Sequence, residues 1–258
     1  MNAQLRLPGI IGGLGPAAHV ELENRLLREG VRRGAQQDQD HIAWVLVSAT
    51  NVPERTEALL LGQTHDCVEA MAAAAFRLIA AGADFAAVPC NTAHALRDEV
   101  TARAPLPWLD LIDVTCDELE RRYPRGSRVL VLSTTGTLQT GLYRRRLLAA
   151  GYEAVEFAPD SPEQSGVMQA IFDPLFGVKA TGARVDERAL ELARAALEAA
   201  RDAACAIAGC TELSIAFARA SDLTCDVIDP LDALASATYD VALGLRPLPS
   251  ILSVARRS

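Results

Sequence analysis

Short apolar runs alternate along the chain with longer stretches whose apolar residues lie three or four positions apart. The short runs predict buried parallel strands, because a strand covered on both faces is apolar throughout. The longer stretches predict helices with one buried face. The predicted strands are 9–11, 43–47, 85–88, 129–132, 154–157 and 204–208, and the clearest helices are 20–31, 64–81 and 186–203. This alternation predicts an α/β fold of mostly parallel sheets flanked by helices.

The two halves of the chain repeat one plan, in which a first strand enters a polar or glycine-containing turn and a later strand ends at a cysteine. Gly13 and Cys90 are 77 residues apart, and Ser133 and Cys210 are also 77 residues apart. The repetition predicts two pseudo-symmetric domains, with the active site in the cleft between them. The expected domains are residues 1–112 with 226–258, and residues 113–225.

Composition narrows the class of protein. Half of the 258 residues are apolar and 22% are charged, which is typical of a globular protein. The net charge of −8 argues against nucleic-acid partners and against binding to anionic membranes. Six cysteines in a chain of this length do not resemble a disulfide framework, and no long apolar run predicts a signal peptide or a membrane span. A cytoplasmic protein is therefore expected.

Two cysteines stand at positions suited to chemistry. Cys90 and Cys210 each follow an apolar strand and precede a predicted helix. Ligands of open α/β sheets bind at the carboxyl ends of strands, and a helix N-terminus there is expected to lower a thiol pKa. The other interpretation of a free cysteine is a small buried hydrophobic residue. We accept that interpretation for Cys67, Cys116, Cys205 and Cys225.

Two such thiols have three chemical uses. A disulfide does not suit a reducing compartment, and a metal site is not predicted because Cys90 and His94 supply only two ligands. The third use is acid–base catalysis at one carbon, in which one thiolate removes a proton and the opposite thiol delivers one to the other face. That chemistry inverts a stereocentre.

Several short strings of the chain resemble those of the aspartate/glutamate racemase family, and specifically its aspartate racemase branch. They occur in the family's order: GGLGP at 12–16, PERT at 53–56, PCNTAH at 89–94, STTGT at 133–137, VKATG at 178–182 and GCTEL at 209–213. The resemblance implies racemisation without pyridoxal phosphate or any other cofactor, with the cysteines matching Cys90 and Cys210 as the two bases. It also implies a homodimer.

An acidic chain that binds a dicarboxylic amino acid needs a locally positive pocket, built from arginine, lysine and helix N-termini. Arg55 and Lys179 match the family's ligands for the side-chain carboxylate, and Lys179 is the single lysine of the sequence. The remaining candidates for substrate binding lie in the turns that follow strands: Gly13, Asn91, Thr92, Thr134, Thr137 and Thr211.

Three positions depart from the branch. Ala49 stands where asparagine is usual, His19 where threonine is common, and Glu54 where aspartate is usual. The choice between aspartate, glutamate and another acidic substrate therefore stays open. His19, His94 and Glu212 are expected to support the substrate-contacting residues from behind, although His19 is equally well explained as a structural histidine at a helix start.

The same residues also resemble the sites of other functions. A Cys90–His94 nucleophile pair would leave Cys210 without a task. The glycines at 13–18 fit a variant dinucleotide fingerprint, but no acid ends the second strand and Pro16 interrupts the loop. Two alternatives remain: a decarboxylase or cis–trans isomerase of a dicarboxylic acid that needs one cysteine, and a non-catalytic sensor of acidic amino acids.

Overall fold

A computed structural model describes residues 5–250. The chain packs into two compact units. The first holds the described residues up to Leu111 together with those from Leu231 onward, and the second is Ile112–Pro230.

The described residues form short strands and longer helices in alternation. The strands are β1 Pro8–Gly12, β2 Val45–Ser48, β3 Phe85–Ala87, β4 Trp108–Leu109, β5 Arg128–Leu132, β6 Glu153–Val155, β7 Cys205–Ala208 and β8 Val227–Ile228. The α-helices are α1 Pro16–Arg32, α2 Arg55–Leu61, α3 His65–Ala80, α4 Arg97–Arg103, α5 Leu111–Arg122, α6 Thr135–Thr140, α7 Leu142–Ala150, α8 Pro162–Phe172, α9 Val178–Thr181, α10 Glu187–Ala199, α11 Thr211–Phe217 and α12 Pro230–Ala242. Turns of 3-10 helix occur at Asp38–Asp40, Thr92–Leu96 and Gly182–Arg184.

Each unit is built on one parallel sheet, and the two sheets share a strand order. The first sheet runs β2-β1-β3-β4 and the second runs β6-β5-β7-β8. Every neighbouring pair is parallel. The predicted α/β fold with parallel sheets is confirmed. In both sheets the chain first moves outward from the first strand in one direction and then returns to its other side. The loops after β1 and β3, and those after β5 and β7, therefore flank the point where a parallel sheet offers a ligand crevice.

The predicted strands agree with the structure to within two residues at each end. The structure adds β4 and β8, which have two residues each and give too short an apolar pattern to be recognised in the sequence. Helix α1 starts at Pro16, four residues before the predicted start, and proline is favoured at that first position. Helix α10 ends at Ala199, earlier than the predicted 203.

Helices with one apolar face hold each sheet. In α3 the buried residues Val68, Met71, Ala75 and Leu78 recur three or four positions apart and pack in one cluster with Ile11 of β1. In the second unit, α10 and α8 pack with β5 and β7 in an equivalent cluster. Burying a side chain such as that of Leu78 stabilises the fold by about 1.5–3 kcal/mol. This packing holds in place the strands whose ends carry the candidate site. No helix within residues 5–250 is long and apolar enough to cross a membrane.

Candidate active site

The turn after β1 is built on a glycine. Gly13 has a φ of +84°, and a Cβ at this position would lie 2.6 Å from the backbone nitrogen of Ala49. The Ala49 N–H in turn donates to the Gly12 carbonyl at 2.9 Å. The loop after β1 therefore lies against the loop after β2, with room for backbone only.

His19 supports this turn from α1. Its Nδ1 accepts a hydrogen bond from the Gly13 N–H at 3.1 Å. Burial lowers the pKa of His19, against the opposing effect of Glu23, so the ring is neutral with its proton on Nε2. The predicted supporting role fits this geometry, since His19 holds the glycine turn.

Arg55 lies buried beside the same loop. It is the first residue of α2, and its guanidinium donates to the carbonyl of Pro53 at 3.1 Å and to the carbonyl of Leu14. These two bonds bring a positive charge to the loop between β1 and α1. The structure thus brings Arg55 and Gly13 to the same edge of the first sheet, as the proposed pocket requires.

Cys90 comes three residues after the end of β3 and is 6% exposed. It packs in the same apolar cluster as α3, and its N–H donates to the Val88 carbonyl at 2.8 Å. Asn91 and Thr92, the predicted substrate ligands, are buried directly after it. The structure differs from the sequence prediction in one respect: a 3-10 turn follows Cys90, and the α-helix starts only at Arg97.

His94 bonds the backbone of Cys90. The buried ring donates from Nδ1 to the Cys90 carbonyl at 2.9 Å, and its Nε2 accepts the Leu111 N–H at 3.1 Å. Burial lowers the pKa of His94 and keeps the ring neutral, as this pair of bonds requires. Both ring nitrogens are engaged by backbone groups, so the geometry gives no support to a Cys90–His94 nucleophile pair.

Cys210 forms the polar centre of the second unit. It stands two residues after β7, directly before α11, and is 6% exposed. Its thiol donates to Glu212 Oε2 at 3.0 Å, and the Thr211 hydroxyl donates to the same oxygen at 3.3 Å. The Lys179 ammonium donates to Glu212 Oε1 at 3.0 Å. The structure therefore brings Cys210, Thr211, Glu212 and Lys179 into one cluster.

Burial and the Glu212 carboxylate together favour the protonated form of Cys210. Burial raises the pKa of the Cys210 thiol well above its ordinary value, and the Glu212 carboxylate raises it further against the opposing effect of Lys179. The expected lowering of the pKa by a helix N-terminus is therefore wrong for Cys210, since the thiol is buried and a carboxylate lies within hydrogen-bonding distance. Burial alone would raise the pKa of Glu212, but the Lys179 ammonium and the bonds from Cys210 and Lys179 lower it.

Thr134 and Thr137 shape the turn after β5. The Thr134 oxygen accepts the Thr137 N–H at 3.2 Å and caps α6, and the two hydroxyls are 3.1 Å apart. Gln164 of α8 holds the same turn, donating to the Ser133 carbonyl at 3.0 Å and to the Thr135 hydroxyl at 3.3 Å. The sequence analysis missed Gln164, because a glutamine inside a helix carries no motif.

Residues 5–250 contain no group of three or more histidine, cysteine, aspartate or glutamate side chains that could hold a metal ion. The polar groups at the strand ends are a thiol, hydroxyls, amides, an arginine and a lysine paired with a carboxylate. These groups suit an anionic organic ligand and proton transfer.

Comparison with known proteins agrees with the strings noted in the sequence. Residues 11–238 match the model of the Asp/Glu/hydantoin racemase family. The chain belongs to this family. The predicted resemblance is thereby confirmed, and the matched residues contain every candidate site residue of both units.

Two solved structures and one curated protein are similar to the chain. The aspartate racemase of Picrophilus torridus is 29% identical, with a TM-score of 0.77 over 93% of this chain and 94% of that one. PH1733, an aspartate racemase homologue from Pyrococcus horikoshii OT3, is 23% identical with a TM-score of 0.68, over 92% and 99% of the two chains, and shares the fold. The broad specificity amino-acid racemase RacX of Bacillus subtilis is 28% identical over 57% of this chain, a match that spans only 63% of RacX.

Proposed function

We propose that this protein is a cofactor-independent racemase of an acidic amino acid, with aspartate as its first substrate and Cys90 and Cys210 as the two acid–base groups. The observation that carries the proposal is the placement of one cysteine at the same point of each sheet, after β3 and after β7. Family membership and the likeness to the Picrophilus torridus aspartate racemase support it.

In each direction of the reaction one sulfur would act as the protonated acid and the other, as the thiolate, would act as the base. Burial and the Glu212 carboxylate keep the proton on Cys210, which suits the acid that delivers a proton to one face of the α-carbon. Cys90 would act as the thiolate that removes the proton from the other face. In the reverse direction the two roles exchange, and the Lys179 ammonium then offsets the adjacent negative charges of Glu212 and the Cys210 thiolate.

Arg55 and Lys179 would hold the carboxylates. The α-proton of an amino acid is a weak acid, so the developing carbanion needs fixed charges and dipoles in a site from which water is excluded. The buried guanidinium of Arg55 and the ammonium of Lys179 supply such charges at the ends of the two sheets. The likeness to RacX favours a second candidate, racemisation of a broader set of amino acids.

Proton NMR in heavy water tests the proposal, with L-aspartate and L-glutamate as substrates and no cofactor added. We expect the α-proton signal to disappear while the D-isomer accumulates. Cys90→Ala and Cys210→Ala should each lower racemisation by about 10²–10⁴-fold, the usual contribution of an acid–base group. Cys225→Ala, at a half-buried cysteine outside the site, is the matched control and should keep wild-type activity.

Other outcomes identify the alternatives. If Cys90→Ala or Cys210→Ala still decarboxylates or isomerises a dicarboxylic acid at the full rate, the protein is the one-cysteine decarboxylase or cis–trans isomerase. Tight binding of aspartate with a persistent α-proton would point to the sensor.

A further inference from the structure

We propose that His94 and Ser214 are equivalent positioning residues, each of which ties the loop of one cysteine to the end of the last strand in its own sheet. This inference rests on the proposed two-cysteine racemase. The two residues occupy matching places, since each lies four residues after its cysteine, Cys90 or Cys210. One is an imidazole and the other a hydroxyl, so the match is invisible to a comparison of residue types.

In the first unit the tether is the imidazole ring of His94, which makes a hydrogen bond through each of its two nitrogens. His94 donates to the carbonyl of Cys90 itself and accepts the N–H of Leu111, two residues beyond the end of β4. The ring also lies edge-on to Trp108 of β4, with their centroids 5.7 Å apart. One side of the His94 ring therefore bonds the Cys90 peptide, and the other side contacts Trp108 of β4 and the backbone just beyond that strand.

In the second unit the tether is a hydroxyl on a carboxylate. Ser214 is fully buried in α11, and its hydroxyl donates to Asp229 Oδ1 at 2.8 Å. Asp229 directly follows β8, which pairs with β7 through Ala206 and Val227 and through Ile207 and Ile228. The bond joins the helix that begins after Cys210 to the end of the last strand.

The last strands need such a tether because they are short. β4 and β8 have two residues each, so their backbone pairing alone holds little of the chain. A displacement of a reacting group by 1 Å costs roughly 10²-fold in rate. A side-chain bond between each cysteine loop and its last strand keeps the sulfur within that tolerance.

Isotope effects separate the two tethers. We would measure the effect of an α-deuteron on kcat/KM starting from each enantiomer, for the wild-type protein, His94→Asn and Ser214→Ala. His94→Asn keeps a donor for the Cys90 carbonyl and removes the acceptor for Leu111. Because the equilibrium constant of racemisation is one, kcat/KM is equal in both directions, whereas the isotope effect reports which proton transfer is slow.

The expected result is an opposite asymmetry in the two variants. When Cys90 is displaced, its proton transfer becomes slower, and the isotope effect grows for the enantiomer that Cys90 deprotonates and shrinks for the other. Ser214→Ala should reverse this pattern. Each variant should lower kcat/KM by roughly 10- to 100-fold, mainly through kcat. Asp229→Asn alone keeps an acceptor for Ser214 and should show neither asymmetry. The exposed His65→Asn should not differ from wild type.

The result is independent of the fraction of folded protein, because an isotope effect is a ratio of rates on the same enzyme. An unchanged ratio between the two enantiomers, or the same asymmetry in both variants, would overturn the inference while leaving the racemase intact. Should His94→Asn be inactive, Ser214→Ala with Asp229→Asn decides the question. A wild-type protein that leaves the α-proton in place overturns the racemase, and this inference with it.

Discussion

At the scale of single residues, Glu212 joins the thiol and the ammonium group of the second unit. One of its oxygens accepts a hydrogen bond from the Cys210 thiol and the other accepts one from the Lys179 ammonium, each at 3.0 Å. A carboxylate in this place opposes the ionisation of the thiol, while lysine keeps the carboxylate itself charged. The cluster therefore stores a proton on Cys210.

Replacing Glu212 by glutamine should lower the pKa of the Cys210 thiol, because the negative charge that disfavours the thiolate is gone. The pH dependence of alkylation of Cys210 by iodoacetamide, followed by peptide mass spectrometry, measures this shift. We expect alkylation to begin at lower pH in Glu212→Gln than in the wild-type protein. Glu191→Gln, at an exposed glutamate of α10, serves as the control. An unchanged or higher onset would show that the carboxylate does not hold the thiol proton.

At the scale of elements, the end of β1 depends on the absence of a side chain. Gly13 combines a positive φ with backbone atoms of Ala49 at 2.6–2.7 Å from its would-be Cβ. Gly34 has a similar positive φ of +97° but nothing within 4 Å. Comparing an alanine substitution at each position therefore distinguishes the free energy of an unfavourable φ, which both share, from that of pushing two loops apart, which applies only at Gly13.

Urea denaturation of Gly13→Ala and Gly34→Ala measures that difference. Gly34→Ala should lose about 1–2 kcal/mol, the cost of a left-handed conformation for an L-residue. Gly13→Ala should lose clearly more and should also reduce activity, because the loops after β1 and β2 must separate. Equal losses in the two variants would mean that the Gly13 turn has room to adjust.

At the scale of the whole molecule, an acidic chain is proposed to bind an acidic ligand. The net charge of −8 repels a dicarboxylate at long range, so affinity has to come from local cations such as Arg55 and Lys179. Both are engaged by protein groups, Arg55 by carbonyls and Lys179 by Glu212, which holds their charges in place. The local cations thus favour binding of a dicarboxylate, whereas the net negative charge of the chain opposes it.

Ligand binding should stabilise the folded chain. At a concentration one hundred times its Kd, L-aspartate should raise the free energy of unfolding by about 2.7 kcal/mol. Thermal denaturation with and without ligand measures this, and the midpoint should rise with aspartate concentration. L-Alanine, which lacks the distal carboxylate, is the comparison and should stabilise less at equal concentration. Equal stabilisation by alanine would favour the broader substrate range over an acidic one.

The sequence predicted the fold because apolar runs and helical spacing are local properties. Six strands were found within two residues of their ends, whereas β4 and β8 are too short for any pattern. The cysteines were recognised because the end of a strand can be read from the residues before it. The sequence predicted a supporting role for His94, whereas its hydrogen-bond partner Leu111, 17 residues away, is visible only in the structure.

The amino-acid sequence by itself therefore determined the class of fold, the family and the placement of two cysteines at equivalent strand ends. The tertiary structure decided the charge state of Cys210 and the partners of His94, Ser214 and Lys179. Lys179 lies 33 residues from Glu212 in the sequence yet bonds it directly. Such contacts join groups that folding alone brings together, and the electrostatic effect of a neighbour depends on distance in space and on burial.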